Sequence, residues 1–277
     1  LKEEPAVIER FSKKPEKIKT YKQYRKIFVT EERLSGGVDF YFENKKLLNK
    51  IMIEFDIDPL ILVTIIGIET NYGKKYAEYS VFNSLYTQIV NLPKRSSWAT
   101  KELFHLLLYT KDQNISPFQL EGSYAGAFGY GQFIPSSFNK LSIDYNKDGK
   151  KDPYDWEDVL GSVAYYLTQN GYPKNDYNFS FRSPIWRSIR TYNRSDKYAN
   201  TIIDFRNELS KRVFLSYFFS SNPKAFIRFF LQDLHSNSYK GIAFPILNHK
   251  SHHVESYQNI GLDRLVQPSW KLVLRLS

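Results

Sequence analysis

The stretch DPLILVTIIGIETNYG, residues 58–73, constrains the fold more than any other. Asp58 followed by Pro59 marks a helix start. The carboxylate can cap a free amide, and proline fits the first helical position, where its missing N–H costs nothing. Leu62, Ile65, Ile66 and Glu69 follow at the spacing of one helical face. The run is apolar almost all round, so the helix is expected to be buried rather than amphipathic, with Gly73 as its stop. Glu69 is the anomaly, a lone carboxylate at the C-terminal end of a nonpolar helix. Desolvation and the negative end of the helix dipole both disfavour its charged form, raising its pKa above the ~4.3 of a free glutamate. A carboxyl kept protonated near neutral pH is a general acid. A buried glutamate satisfied by an arginine, a hydroxyl or backbone groups is the structural alternative, and the helix alone does not choose between them.

The remaining elements are read from periodicity. Residues 1–20 are expected to be a surface arm with one short helical piece near Val7–Phe11, and Tyr21–Val29 is basic and aromatic. Phe40, Phe42, Leu47, Leu48, Ile51, Met52 and Phe55 predict a single amphipathic helix over 39–55. Val81–Val90 reads as a helix closed by Pro93. Ser97–Thr110 reads as another, with Leu103, Leu106, Leu107 and Leu108 as its core face. Trp156–Gln169 is a helix ended by Gly171 and Pro173, and a further helix runs from Asp196 to about Arg212. Strand signals are nearly absent through residue 212. After it, an apolar-aromatic run, a helix starting at Asn222-Pro223 and the strand-like GIAFPIL and WKLVLRL change the character of the chain. His249, His252 and His253 lack nearby carboxylates and read as a solvated loop.

Two loops differ in kind. LEGSYAGAFGYGQFIPSS, residues 120–137, interleaves glycine with Tyr, Ala and Phe, so backbone can approach something closely. Neither phosphate-loop spacing is present. Gln132 in that loop suits a sugar or an N-acetyl group, and a flexible structural turn is the alternative. DYNKDGKKDPYD, residues 144–155, follows the calcium-loop pattern, with Asp144, Asn146 and Asp148 at positions 1, 3 and 5 and Gly149 at the turn. Lys150 offers its carbonyl at position 7, Asp152 stands at 9 and Asp155 at 12, where a glutamate is usual. An acidic surface turn is the alternative. A structural Ca2+ is expected here, with no organic cofactor.

Composition narrows the partners. In 277 residues, 39 Lys+Arg against 29 Asp+Glu give +10, which favours polyanions. No nucleic-acid-binding pattern accompanies that charge, so nucleic acid is not expected, and a membrane surface or an anionic cell-wall polymer is left. The 21 Tyr and 21 Phe suit a carbohydrate groove as well as a stabilised interior. The absence of cysteine excludes disulfides and thiolate catalysis. No apolar stretch is long enough to span a membrane, and the start at Leu1 is that of a mature or trimmed form.

YRKIFVT, GIETNYG, LEGSYAGAFGYGQFIPSS, the calcium loop, GSVAYYL and the YN of TYNRSDKY, in this order, resemble the membrane-bound lytic murein transglycosylase B family. The resemblance covers roughly residues 21–205. It implies a mainly α fold: a lysozyme-like α-helical core with an added helical region, an EF-hand-like calcium loop and a C-terminal α+β extension. The expected division is a catalytic domain over 1–212 and an extension over 213–277 that could meet cell wall or a protein partner. The resemblance also implies that Glu69 is the sole catalytic acid/base and that Ser123 and Gln132 hold substrate. Tyr24, Tyr166, Tyr192, Asn193 and Tyr198 then line the groove or steady the reacting sugar. Relatives usually carry a longer segment between GSVAYYL and YN, so that part of the groove is shortened here.

With one carboxylate, the implied reaction is cleavage between N-acetylmuramic acid and N-acetylglucosamine in peptidoglycan glycan strands without water, leaving a 1,6-anhydromuramoyl end. Hydrolytic glycosidases use two carboxylates. A lysozyme-like muramidase and a non-catalytic peptidoglycan-binding protein are the alternatives. The expected setting is a monomer, periplasmic or associated with the outer membrane of a Gram-negative bacterium.

Overall fold

The apolar stretch forms a buried helix, α5 (Pro59–Thr70), in a computed structural model that describes residues 1–12 and 19–221. Every residue from Pro59 to Ile68 is buried, and Thr70 as well, so Glu69 is the one position of α5 that reaches partly to the surface. Asp58 caps the start as expected, its Oδ1 accepting the Leu60 N–H at 2.8 Å. The stop comes earlier than Gly73. Asn71 (φ 49°), Tyr72 (φ 61°) and Gly73 (φ 76°) are all left-handed, so the helix ends at Thr70.

The helices α3 (Glu31–Glu43), α4 (Lys45–Phe55) and α9 (Trp156–Gln169) pack against α5, and α9 also packs on α4. The expected single helix over 39–55 is therefore two. Asn44, at φ −101° and ψ 14°, leaves helical geometry, its N–H still bonded to the Phe40 carbonyl. The apolar periodicity carries through a one-residue break, which is why the sequence conceals it.

A second pair, α6 (Val81–Asn91) and α7 (Pro93–Asp112), packs lengthwise. Pro93 does not merely close α6; it is the first residue of α7, the position proline favours. The core face of α7 also differs from expectation. Ala99, Glu102, Leu106 and Tyr109 are buried, whereas Leu107 and Leu108 are exposed at 42% and 38%. The buried Glu102 explains the rotation. Its carboxylate accepts the Ser136 N–H and hydroxyl, both at 2.8 Å, capping α8 (Pro135–Leu141), whose own N-cap residue Ile134 offers no side-chain oxygen.

Two short strands, β1 (Tyr79–Ser80) and β2 (Glu121–Gly122), pair antiparallel with Tyr79 opposite Gly122, and they tie the glycine-rich segment to α6. The N-terminal arm is docked rather than loose. Its helix α1 (Pro5–Ser12) lies on α6 with Val7 fully buried, and Glu4 N–H donates to Thr87 Oγ1 at 2.9 Å.

The helices α2 (Tyr21–Phe28), α10 (Pro184–Tyr192) and α11 (Asp196–Ser221) complete the described residues. A capping box between Thr20 and Gln23 starts α2. The chain forms two compact units, Leu1–Asn207 and Glu208–Ser277. In the second, the described residues are the last turns of α11, which continues through Arg212 and the apolar-aromatic run to Ser221. The helix expected from Asn222, the two C-terminal strands, the three histidines and hence the α+β extension lie outside the described residues.

Candidate active site

Glu69 stands where α5 stops, and its surroundings come from three distant parts of the chain. Tyr198, in the first turn of α11 and 1% exposed, donates its hydroxyl to Glu69 Oε1 at 2.7 Å. Burial pushes the Tyr198 phenol well above its ordinary pKa, and the Glu69 charge and hydrogen bond push it further. Tyr192, the last residue of α10, is raised in the same way, by burial first and Glu69 second. Both phenols thus stay neutral donors over any physiological pH. A hydrogen bond given to a carboxylate favours its ionised form, opposing the burial and helix-end effects expected from the sequence.

The glycine-rich segment is fastened to this point twice. Thr70 Oγ1 donates toward the Tyr130 carbonyl at 3.1 Å, and Tyr192 donates to the Gly131 carbonyl at 2.5 Å. Gln132 follows directly, in a left-handed conformation (φ 51°), with Nε2 donating to the Gly129 carbonyl at 2.9 Å. The close backbone approach foreseen for the glycines is to the protein itself. A Cβ on Gly129 (φ 72°) falls 2.5 Å from Pro153 Cβ, and one on Gly126 (φ 91°) falls 2.6 Å from Leu85.

The other expected residues take varied places. Tyr24, 1% exposed, packs its ring against Phe28, centroids 5.1 Å apart, and adds to the upward push on the Tyr198 phenol. Tyr166 packs edge-on against Tyr192, ring centroids 4.9 Å apart, and donates to the Thr191 carbonyl at 2.9 Å. Asn193 is exposed at the end of α10. Ser123 is engaged within its own loop, its Oγ accepting the Ala127 N–H at 3.2 Å.

Sequence reasoning missed the residues that hold the end of α5. Arg33 Nε donates to the Gly67 carbonyl at 3.0 Å, satisfying an orphan acceptor of the last turn with a cation, the sign a helix C-terminus favours. Asn71 Nδ2 donates to Glu32 Oε1 at 3.0 Å. The detectable signal was general: a helix ending in the interior needs donors for its last carbonyls.

In the 144–155 loop the turn is present, with Gly149 at φ 90°. Asp144 accepts the N–H groups of Asp148 (3.1 Å) and Gly149 (2.9 Å), and Asp155 caps α9 through Glu157 and Asp158. Asp158, buried, gathers the N–H groups of Tyr145, Asn146 and Asp152. The donors are hard oxygens, the chemistry calcium takes. Their side chains are turned onto backbone amides, and among the described residues no three His, Asp or Glu side chains are gathered as a metal-holding group.

The family model for the transglycosylase SLT domain matches residues 1–184. The chain belongs to this family. Membrane-bound lytic murein transglycosylase B of Escherichia coli K12 is 37% identical over 154 residues, covering 56% of this chain and 43% of that protein. The chain therefore corresponds to less than half the length of that relative. Soluble lytic transglycosylase SltB1 of Pseudomonas aeruginosa shares the family fold with a TM-score of 0.71 at 27% identity, over 76% of this chain and 90% of that structure. The Escherichia coli lytic transglycosylase Slt35, solved in complex with calcium, gives 0.70 at 25% identity, over 76% and 85%. Among the described residues no helix is long and apolar enough to cross a membrane.

Proposed function

We propose that this chain is a peptidoglycan lytic transglycosylase with Glu69 as its single acid and base. The observation that carries the reading is the Glu69 carboxylate at the C-terminal end of a buried helix, held through Oε1 by the neutral Tyr198 phenol. Glu69 protonates the glycosidic oxygen as the bond from C1 of the N-acetylmuramoyl residue breaks. The carboxylate then takes the proton of that sugar's 6-hydroxyl as O6 attacks C1. The bond broken and the bond formed balance without water, and the product is a 1,6-anhydromuramoyl end. Tyr198 keeps the carboxylate oriented while its charge changes, and Tyr192 holds the glycine-rich segment beside it through the Gly131 carbonyl. Gln132 and Ser123 hold the sugar from the glycine-rich loop, and Tyr24, Tyr166 and Asn193 line the groove.

The 144–155 loop is proposed to bind Ca2+ through Asp144, Asn146, Asp148, the Lys150 carbonyl, Asp152 and Asp155. Its oxygen donors, its Gly149 turn and the calcium complex of Slt35 support this. The ion's contribution would be structural, offsetting the charge of carboxylates that hold the loop's own amides and the start of α9.

The test is mass spectrometry of purified peptidoglycan digested by the protein and by Glu69→Gln. Anhydro-muropeptides from the wild type alone support the proposal. Reducing ends would mean hydrolysis, which requires a second carboxylate. Glu32, bonded to Asn71 at the same helix end, is the acid to replace in that event. No product from either protein would leave a binding function.

A further inference from the structure

The helices α5 and α11 are joined at both ends of α5. At its C-terminal end stands the Tyr198–Glu69 hydrogen bond of 2.7 Å. At its N-terminal end Asp58 caps Leu60 with Oδ1 and receives Arg206 on Oδ2, from Nε at 2.7 Å and Nη2 at 2.6 Å. The Arg206 and Asp58 side chains are only 13% and 6% exposed. The guanidinium lies 4.3 Å from the centre of the Phe179 ring, and the Asp58 N–H donates to the Tyr172 hydroxyl at 3.3 Å. The two junctions run antiparallel. Asp58 to Glu69 spans about 16 Å of helix rise and Tyr198 to Arg206 about 12 Å, a difference within the reach of an arginine side chain.

We propose that the Arg206–Asp58 ion pair positions the candidate acid/base, by fixing the register of α11 along α5 so that the Tyr198 hydroxyl meets Glu69 Oε1. Aliphatic contacts are non-directional and leave register weakly determined. Apart from Glu69 and two threonines, α5 offers its neighbours an almost wholly apolar surface. A slip of one helical turn, about 5.4 Å along the axis, carries a 2.7 Å hydrogen bond well beyond useful length. A nearly buried ion pair opposes such a slip, because breaking it strands a charge in the interior. Arg206 is thus a positioning residue that acts on the site from the far end of α5. The inference rests on the reading of Glu69 as the acid and base, but its geometric core can be read without turnover.

The experiment follows the 13C resonance of the Glu69 carboxyl, assigned with Glu69→Gln, in the wild type, Tyr198→Phe, Arg206→Met and the double variant. Turnover on peptidoglycan is measured beside it and normalised to folded protein. Arg206→Met is expected to move the Glu69 resonance in the direction that Tyr198→Phe moves it. It should lower kcat about tenfold, the worth of a hydrogen bond to a charged group, with KM nearly unchanged. Added to Tyr198→Phe it should change kcat by less than about twofold, since both act through one hydrogen bond. Arg206→Lys should recover part of the loss. A lower melting temperature with an unmoved Glu69 resonance would overturn the proposal, as would effects on kcat that multiply. Asp58→Asn, which keeps the cap oxygen, carries the same readouts if Arg206→Met does not fold. A wild type without turnover would defeat the assignment of Glu69 as acid, while the resonance still decides the register.

Discussion

A phenol that donates to a carboxylate fixes where that carboxylate points and steadies it when charged. Tyr198 does both for Glu69, from a position 129 residues later in the chain. Tyr198→Phe is therefore expected to fold with little change, since the ring stays in its buried slot. Its turnover on peptidoglycan should fall by about ten- to a hundredfold, the worth of a charged hydrogen bond of about 1.5–3 kcal/mol. Steady-state kinetics beside a thermal melt measures this, and wild-type turnover in the variant would remove Tyr198 from the mechanism. Glu69 itself was legible in the sequence because a charge in an apolar run is conspicuous. Tyr198 and Tyr192 were legible only through family resemblance, because nothing local marks one tyrosine among 21. Arg33, Thr70 and Asn71 were not legible at all. Their task, holding the end of a helix they do not all belong to, exists only in three dimensions.

Elements were readable in proportion to how far one property decided them. The N-capped α9 matches its expected span, and α5 its expected start and burial though not its stop, because an apolar run or a clean periodicity sits next to a capping aspartate. The helix broken at Asn44 and the turned face of α7 were misread because periodicity reports which residues are apolar, not which face a neighbour needs. On α7 the neighbour's need is polar: Glu102 leaves solvent to cap α8, the helix that follows the glycine-rich segment. Glu102→Ala removes that cap and leaves the Ser136 donors unpaired. Chemical denaturation should show a loss of about 1.5–3 kcal/mol. Leu107→Ala, on the exposed face of the same helix, should cost under about 0.5 kcal/mol. Equal losses would mean the sequence-based face was right after all.

At the scale of the whole first unit, the 144–155 loop is a junction. Tyr145 reaches Glu54 of α4 at 2.9 Å, Asp155 and Asp158 join it to α9, and the Pro153 carbonyl receives the Tyr130 N–H at 2.9 Å. Ordering this loop thus orders the glycine-rich segment that carries Gln132. If the loop binds calcium as proposed, an ion at a hundred times its Kd stabilises the fold by about 2.7 kcal/mol. Chelation should then lower the melting temperature by roughly 5–10 °C. Differential scanning calorimetry with EGTA and with added Ca2+ checks this, and an unchanged melt would reduce the loop to an acidic turn. The net charge of +10 belongs to this scale too: it speaks of polyanionic partners and says nothing about the fold.

The long span between Glu69 and Tyr198 also has a consequence in time. Contacts between residues far apart in sequence form late, because a large loop must close before they can be made. A ribosome adding about 5–20 residues per second makes Glu69 many seconds before its partner. Through that interval the helix can form and bury its apolar sides, yet its carboxylate lacks the phenol that orients it. The wall-cutting activity proposed for this chain is in that sense assembled last, so a nascent or half-folded molecule carries the acid without the means to aim it.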